Sequence, residues 1–187
     1  MIVSETIAYG LLALLLLTAV VGLIFFKKIK HAYLDWRLFH AVKKLGKQSL
    51  RNAILSDGID GTVCIDNLVL LVDEILVVSV GRYQGAVFAS ERIDVWTQVV
   101  GKRSYKFTNP LLKLEQDVAA VRANLPDIKV SGALVFPHDV SFPKGKPDNV
   151  ISVSEAKQRF GNDQTLSVKT EYQEAWERLK TKVISET

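Results

Sequence analysis

Thr6 to Phe26 form 21 consecutive uncharged residues, with Leu14, Leu15, Leu16 and Leu17 in one block. As a helix rising about 1.5 Å per residue, the run matches the roughly 30 Å hydrocarbon core of a bilayer. A buried core helix of that length would carry a polar stripe. Here only Thr6, Tyr9, Gly10, Thr18 and Gly22 interrupt, and all are tolerated in a span. A cleaved signal peptide needs a basic start, an apolar core of about 7–15 residues and a small-residue cleavage site. Instead Glu5 is the first charge, and Phe25-Phe26-Lys27-Lys28 closes the run. The pattern predicts an uncleaved transmembrane helix over 6–26, preceded by a short extracytoplasmic segment, 1–5.

Beyond the run the periodicity changes. Ala32, Tyr33, Trp36, Leu38, Phe39, Val42 and Leu45 recur at helical spacing and Gly46 stops them, which predicts a juxtamembrane helix within 27–48. Ser49 to Leu55 is a short strand candidate, followed by turn signals at Ser56-Asp57-Gly58 and Asp60-Gly61. Val63 to Val72 and Ile75 to Val80 are mostly β-branched or leucine, and Asp73-Glu74 between them suits a tight hairpin. Runs that apolar predict central strands buried on both faces. Gln84 to Phe88 adds another strand.

Asn109-Pro110 opens a helix whose Leu111, Leu114, Val118, Val121 and Leu125 share one face as far as Pro126. Lys129 to Phe136 and Val150 to Val153 are the next strand candidates. Ser152 and Glu155 have capping-box spacing for a helix from Glu155 to Phe160, and Leu166 to Val183 is a final charged helix. The expected fold class is α/β: a transmembrane helix, then a mixed-sheet domain over 49–160 with flanking helices, then a charged C-terminal helix in 161–187.

Charge changes the picture in one respect. The chain has 24 basic and 20 acidic residues, a net +4. Eight of the basic residues and one of the acidic ones fall within 27–51, a net +7, whereas 52–187 hold 16 and 18, a net −2. Lys27, Lys28 and Lys30 are thus placed to contact anionic lipid, and by the positive-inside rule the soluble domain faces the cytoplasm of the inner membrane, with the N-terminus outside. The basic excess is not in itself a footprint for nucleic acid. Outside the juxtamembrane stretch the best nucleic-acid candidate is Lys102-Arg103-Ser104-Tyr105-Lys106, weighed against a solvated hairpin face.

Cys64 is the only cysteine, so an intrachain disulfide is excluded; it is expected to be a core thiol. His31, His40 and His138 lack ligand spacing, so no zinc site is expected. Trp96 and Trp176 are expected to pack in the core, and Trp36 to lie there or at the headgroup level.

Four segments follow one another in a telling order: Ile65-Asp66-Asn67-Leu68-Val69-Leu70, Val77-Val78-Ser79-Val80-Gly81-Arg82-Tyr83-Gln84-Gly85, Trp96-Thr97-Gln98-Val99 and Tyr105-Lys106-Phe107-Thr108-Asn109-Pro110-Leu111. Together they resemble the nuclease-related domain family, a branch of the PD-(D/E)XK, restriction-endonuclease-like nucleases, over roughly residues 35–160. An N-terminal anchor before such a domain is similar to bacterial members. The resemblance implies a strand-borne aspartate and a Glu-x-Lys on the hairpin partner, converging on Mg²⁺ and an attacking water.

Residue by residue, Asp66 falls on the family's metal-binding aspartate, Ser79 on its glutamate and Gly81 on its lysine. Asp35 falls on the early helix glutamate, and Lys113 on a glutamine that follows Asn-Pro. One carboxylate and a hydroxyl make a poor Mg²⁺ cage. Arg82 should point to the opposite face from Gly81, while Glu74 and Glu91 are expected on solvated surface. Asp66 has the further reading of capping a backbone amide.

The sequence therefore predicts a membrane-tethered, catalytically degenerate module that binds lipid and an unknown protein, with nucleic acid a lesser candidate and no cofactor. Two alternatives stand beside it. One is an active nuclease that uses Mg²⁺ through migrated groups. The other is a structural membrane subunit associating through Ala13, Thr18 and Gly22, or through Gly10 and Ala13.

Overall fold

The computed structural model describes residues 38–137, 140–161 and 166–184, with Thr18, Val20, Gly22, Phe25, Phe26, Ile29, Tyr33 and Trp36. The chain divides into two compact units, Met1–Phe39 and His40–Thr187. In the first, those eight isolated residues are all helical and exposed, and the Tyr33 and Trp36 rings stack at 6.1 Å. Among the described residues no helix is long and apolar enough to cross a membrane. The span expected over 6–26 lies outside them apart from Thr18, Val20, Gly22, Phe25 and Phe26. Lys27, Lys28, Lys30 and Asp35 also lie outside them.

The second unit is built on two mixed sheets. The larger has the order β1-β2-β3-β7-β9: Gln48–Ser56, Thr62–Leu70, Ile75–Val80, Val130–Phe136 and Val150–Ser152. β1, β2 and β3 are antiparallel neighbours, while β3, β7 and β9 run parallel. The smaller has the order β6-β5-β4-β8: Arg103–Thr108, Val95–Val100, Gly85–Phe88 and Val140–Ser141. Helix α1, Pro110–Asn124, makes the crossover that returns the chain to the first sheet, and α2, Val153–Phe160, and α3, Thr170–Lys182, complete the unit.

Both faces of the larger sheet are covered, which explains the unbroken apolar runs of its central strands. Val77, Leu68 and Leu134 pack in one cluster with Leu114 and Val121 of α1 and Trp176 and Leu179 of α3. Leu76, Val78, Val69 and Val135 pack in a second with Val42, Leu45 and Ala156.

Local signals set the element ends. Asn109 caps α1, its side chain accepting from Leu111 N at 2.9 Å and donating to Ile93 O at 2.9 Å. The Ser152–Glu155 capping box is complete at α2. Asp57 accepts from the amides of Ile59 and Gly61, closing the β1–β2 turn and holding its carboxyl below the ordinary carboxylate range. At the other end of β1, Trp176 Nε1 donates to Gln48 Oε1 at 2.9 Å; nearer the Asp57 turn, Ile184 pairs with Ile54 on the outer side of β1.

Candidate functional site

Asp66 sits where β2 leaves its neighbours. The β1–β2 ladder runs from Gln48↔Leu70 to Ser56↔Thr62 but lacks the Asn52↔Asp66 pair, and Asn52 has φ +50°. Asparagine tolerates that left-handed conformation. The inward set of residues shifts there by one. Leu68 and Leu70 face the α1 side on one part of β2, and Ile65 and Val63 face it on the other. Pairing with β3 stops one residue away, at Asn67↔Val78, where the Asn67 side chain donates to Val78 O at 3.2 Å. Asp66 is half-buried at this splay and has no hydrogen-bond partner among the described residues, so it caps none of their amides.

Ser79 lies on the same β3 face as Ile75 and Val77, the face that packs with α1. It is 6% exposed, and its hydroxyl has no hydrogen-bond partner among the described residues. Two residues on, Gly81 is buried, and its amide donates to Val135 O at 2.8 Å. A Cβ at Gly81 would lie 2.6 Å from the Phe136 ring. That ring belongs to an aromatic cluster: Phe136 meets Phe142 edge-on at 5.2 Å and Tyr83 at 6.0 Å, and Tyr83 stacks on Phe107 at 4.0 Å. Burial there pushes the Tyr83 phenol up.

Helix α1 brings a second pair of charges. Lys113 Nζ donates to Asp117 Oδ2 at 2.6 Å and to Cys64 O at 3.0 Å. The Asp117 side chain is 2% exposed and that of Lys113 51%. Burial pushes the Asp117 carboxyl up, Lys113 pulls it down through its hydrogen bond and charge, and Asp66 adds a smaller upward push. Continued past Asn67↔Val78, the β2–β3 register would set Asp66 opposite Ser79 and Cys64 opposite Gly81. The Lys113 ammonium thus reaches the backbone of β2 at Cys64, beyond the end of the β2–β3 pairing, and does so from the helix.

A model of the nuclease-related domain matches residues 26–137, more than half of the chain. The chain belongs to the nuclease-related domain family. No curated protein and no solved structure matches it. In this nuclease-related domain, the three positions expected to hold catalytic groups, two in strands and one just past β3, carry one carboxylate, one buried hydroxyl and one hydrogen atom. Asp66 and Ser79 together offer one carboxylate and one hydroxyl, a sparse donor set for Mg²⁺, which takes six oxygens and is usually held by one or two carboxylates with waters and substrate phosphates. Among the described residues no three His, Cys, Asp or Glu side chains are grouped to hold a metal.

The other expected positions fall elsewhere. Lys102, Arg103 and Lys106 are exposed on the β5–β6 hairpin, in the smaller sheet. Glu91 is exposed, as expected. Glu74 corrects the expectation of solvated surface: it is buried, with Lys129 Nζ 3.1 Å away. Cys64 corrects another: it is exposed, because the shift at Asp66 turns it outward. Sequence reasoning passed over Asp117, although an acid beside Leu114 and Val118 on the apolar helix face, four residues after a lysine, is a readable signal. Phe136 carried no signal at all.

Beside Phe136 opens a cavity of about 380 Å³, lined by Phe142, Lys146, Ser154 and Glu155 among others. Lys146 Nζ meets Glu155 Oε2 at 2.5 Å, so its charge is already matched.

Proposed function

We propose that this is a membrane-tethered, catalytically degenerate nuclease-related domain, acting as a binding or scaffold module at the cytoplasmic face of the inner membrane. The observation that carries the reading is the Phe136 ring in the space a side chain at Gly81 would need. The lysine of a Glu-x-Lys site has no room there, and Ser79 supplies no charge. With purified protein and Mg²⁺ or Mn²⁺, neither DNA nor RNA should be cleaved. Cleavage that disappears in Asp66→Ala would overturn the reading.

The tether rests on the uncharged run of residues 6–26 and the basic flank that follows it. Exposed helical Phe25, Phe26 and Ile29 agree with a lipid-facing surface. Lys27, Lys28 and Lys30 would then meet anionic headgroups. The protein is expected in the membrane fraction after alkaline carbonate washing, with its C-terminal domain cut by protease only in inside-out vesicles. Recovery in the wash would remove the tether.

One observation favours a second reading, an active metal-dependent nuclease of the PD-(D/E)XK kind with migrated groups. Lys113 and Asp117 stand on α1 beside Asp66, one supplying an amine and the other a carboxylate. On that reading cleavage is found, and Lys113→Ala and Asp117→Asn each reduce it at least tenfold.

A further inference from the structure

We propose that the outer edge of β6 is a docking edge for an acidic, extended peptide strand of a partner protein. This rests on the reading of the domain as a binding module and gives the partner a chemistry. β6 stands last in the order of the smaller sheet, and Arg103, Ser104, Tyr105, Lys106 and Thr108 are all exposed. In an antiparallel pair every second residue bonds its neighbour, so the remaining N–H and C=O groups of such an edge point outward as a template for another strand.

The other edges are interrupted or short. Ile184 N donates to Ile54 O at 3.0 Å, an isolated bridge on the outer side of β1, while β8 and β9 have two and three residues. β6 has six residues, and no described strand lies on its outer side.

Charge selects the occupant. Residues 95–108 contain Lys102, Arg103 and Lys106 and no acid, in a region, 52–187, that is net −2. None of the three forms an ion pair among the described residues. Arg103 and Lys106 lie on opposite faces of the strand, so an added strand meets a cation on either side. A second copy of β6 would bring like charges together and be repelled. An acidic strand is attracted, and its main chain gains the hydrogen bonds.

The edge is also held rigid before any partner arrives. Gly101, first in the two-residue turn, has φ +60°, as a tight hairpin of matching twist requires. Trp96 is fully buried and its Nε1 donates to Ser90 O at 2.9 Å, while Gln98 Nε2 donates to Gln84 O at 2.8 Å. Phe107 is pinned against Tyr83. A preorganised edge loses little freedom on binding.

The test uses the full chain in lipid nanodiscs and an eight-residue probe peptide alternating glutamate with threonine. The peptide should bind and slow hydrogen exchange at alternate β6 amides. The triple variant Lys102→Glu, Arg103→Glu, Lys106→Glu should weaken binding at least tenfold, and a lysine-for-glutamate peptide should recover it on that variant. Equal binding to both proteins, no binding, or protection outside β6 would overturn the proposal. So would a single-stranded oligonucleotide that binds these cations more tightly than the peptide and leaves the β6 amides unprotected. Nuclease activity would sink the degenerate reading alone; failure of the peptide would sink the docking edge alone.

Discussion

Gly81 and Phe136 are complementary in shape: the glycine leaves the space that the phenylalanine ring occupies, 2.6 Å from where a Cβ would begin. Two consequences can be measured. Gly81→Ala overpacks a buried site and should cost about 1–3 kcal/mol in denaturant unfolding. Phe136→Leu should remove part of that cost, giving a non-additive cycle. Ser79→Glu with Gly81→Lys should yield no nuclease, because the lysine must first displace the ring. Cleavage by that double variant would show that Phe136 is no obstacle.

Lys113→Ala leaves the buried Asp117 carboxyl without its cation. At pH 7 the loss should be about 1–3 kcal/mol, moderated because Lys113 is half exposed. Burial already raises the Asp117 pKa, and removing Lys113 raises it further. The folded state then takes a proton the unfolded state releases, so stability falls as pH rises through the raised folded value. The gap between wild type and Lys113→Ala should therefore be widest near neutrality and close below the ordinary carboxylate value of 3.8. Adding Asp117→Leu should recover stability at pH 7.

The Lys146 ammonium, the Ser152 amide and the Ser152 side chain hold Glu155 at about 2, against an ordinary 4.5. A depressed carboxylate contributes stability above its unfolded pKa and loses it as pH falls through the folded one. The Tm difference between wild type and Glu155→Gln should be full above pH 5 and vanish near pH 2. Both side chains are partly exposed, so the difference is small and should shrink with salt.

Asn109→Ala removes the α1 cap and the donors to Ile93 O and Ser90 O. Because Asn109 is 1% exposed, water cannot replace these bonds, and about 1–2 kcal/mol should be lost. Asn109→Asp keeps the acceptor and should retain part of it.

The central strands were legible because burial on both faces writes itself as an unbroken apolar run, as in Ile75–Val80. So were the Asn109 cap and the Ser152–Glu155 box, whose bonds span two or three residues. Cys64 was not. Alternation back from Leu70 and Leu68 would turn Asp66 and Cys64 inward, but the shift opposite Asn52 gives those places to Ile65 and Val63. Of β5 and β6, only a solvated hairpin face around residues 102–106 and the resemblance to the family were legible. Their half-exposed pairs, such as Gln98↔Tyr105 and Thr97↔Lys106, carry no apolar alternation. Nothing local announces that Phe136 fills the place beside Gly81, since that contact exists only after β7 has paired with β3.

The bond between Trp176 and Gln48 joins residues 128 apart in the chain. During synthesis at about 5–20 residues per second, β1 waits on the order of ten seconds for that partner. Through that interval its open side faces the surroundings of the ribosome. The rate at which α3 emerges therefore sets how long the nascent domain exposes an unfinished sheet. Rare codons in the stretch before α3 should raise aggregation without altering the finished protein.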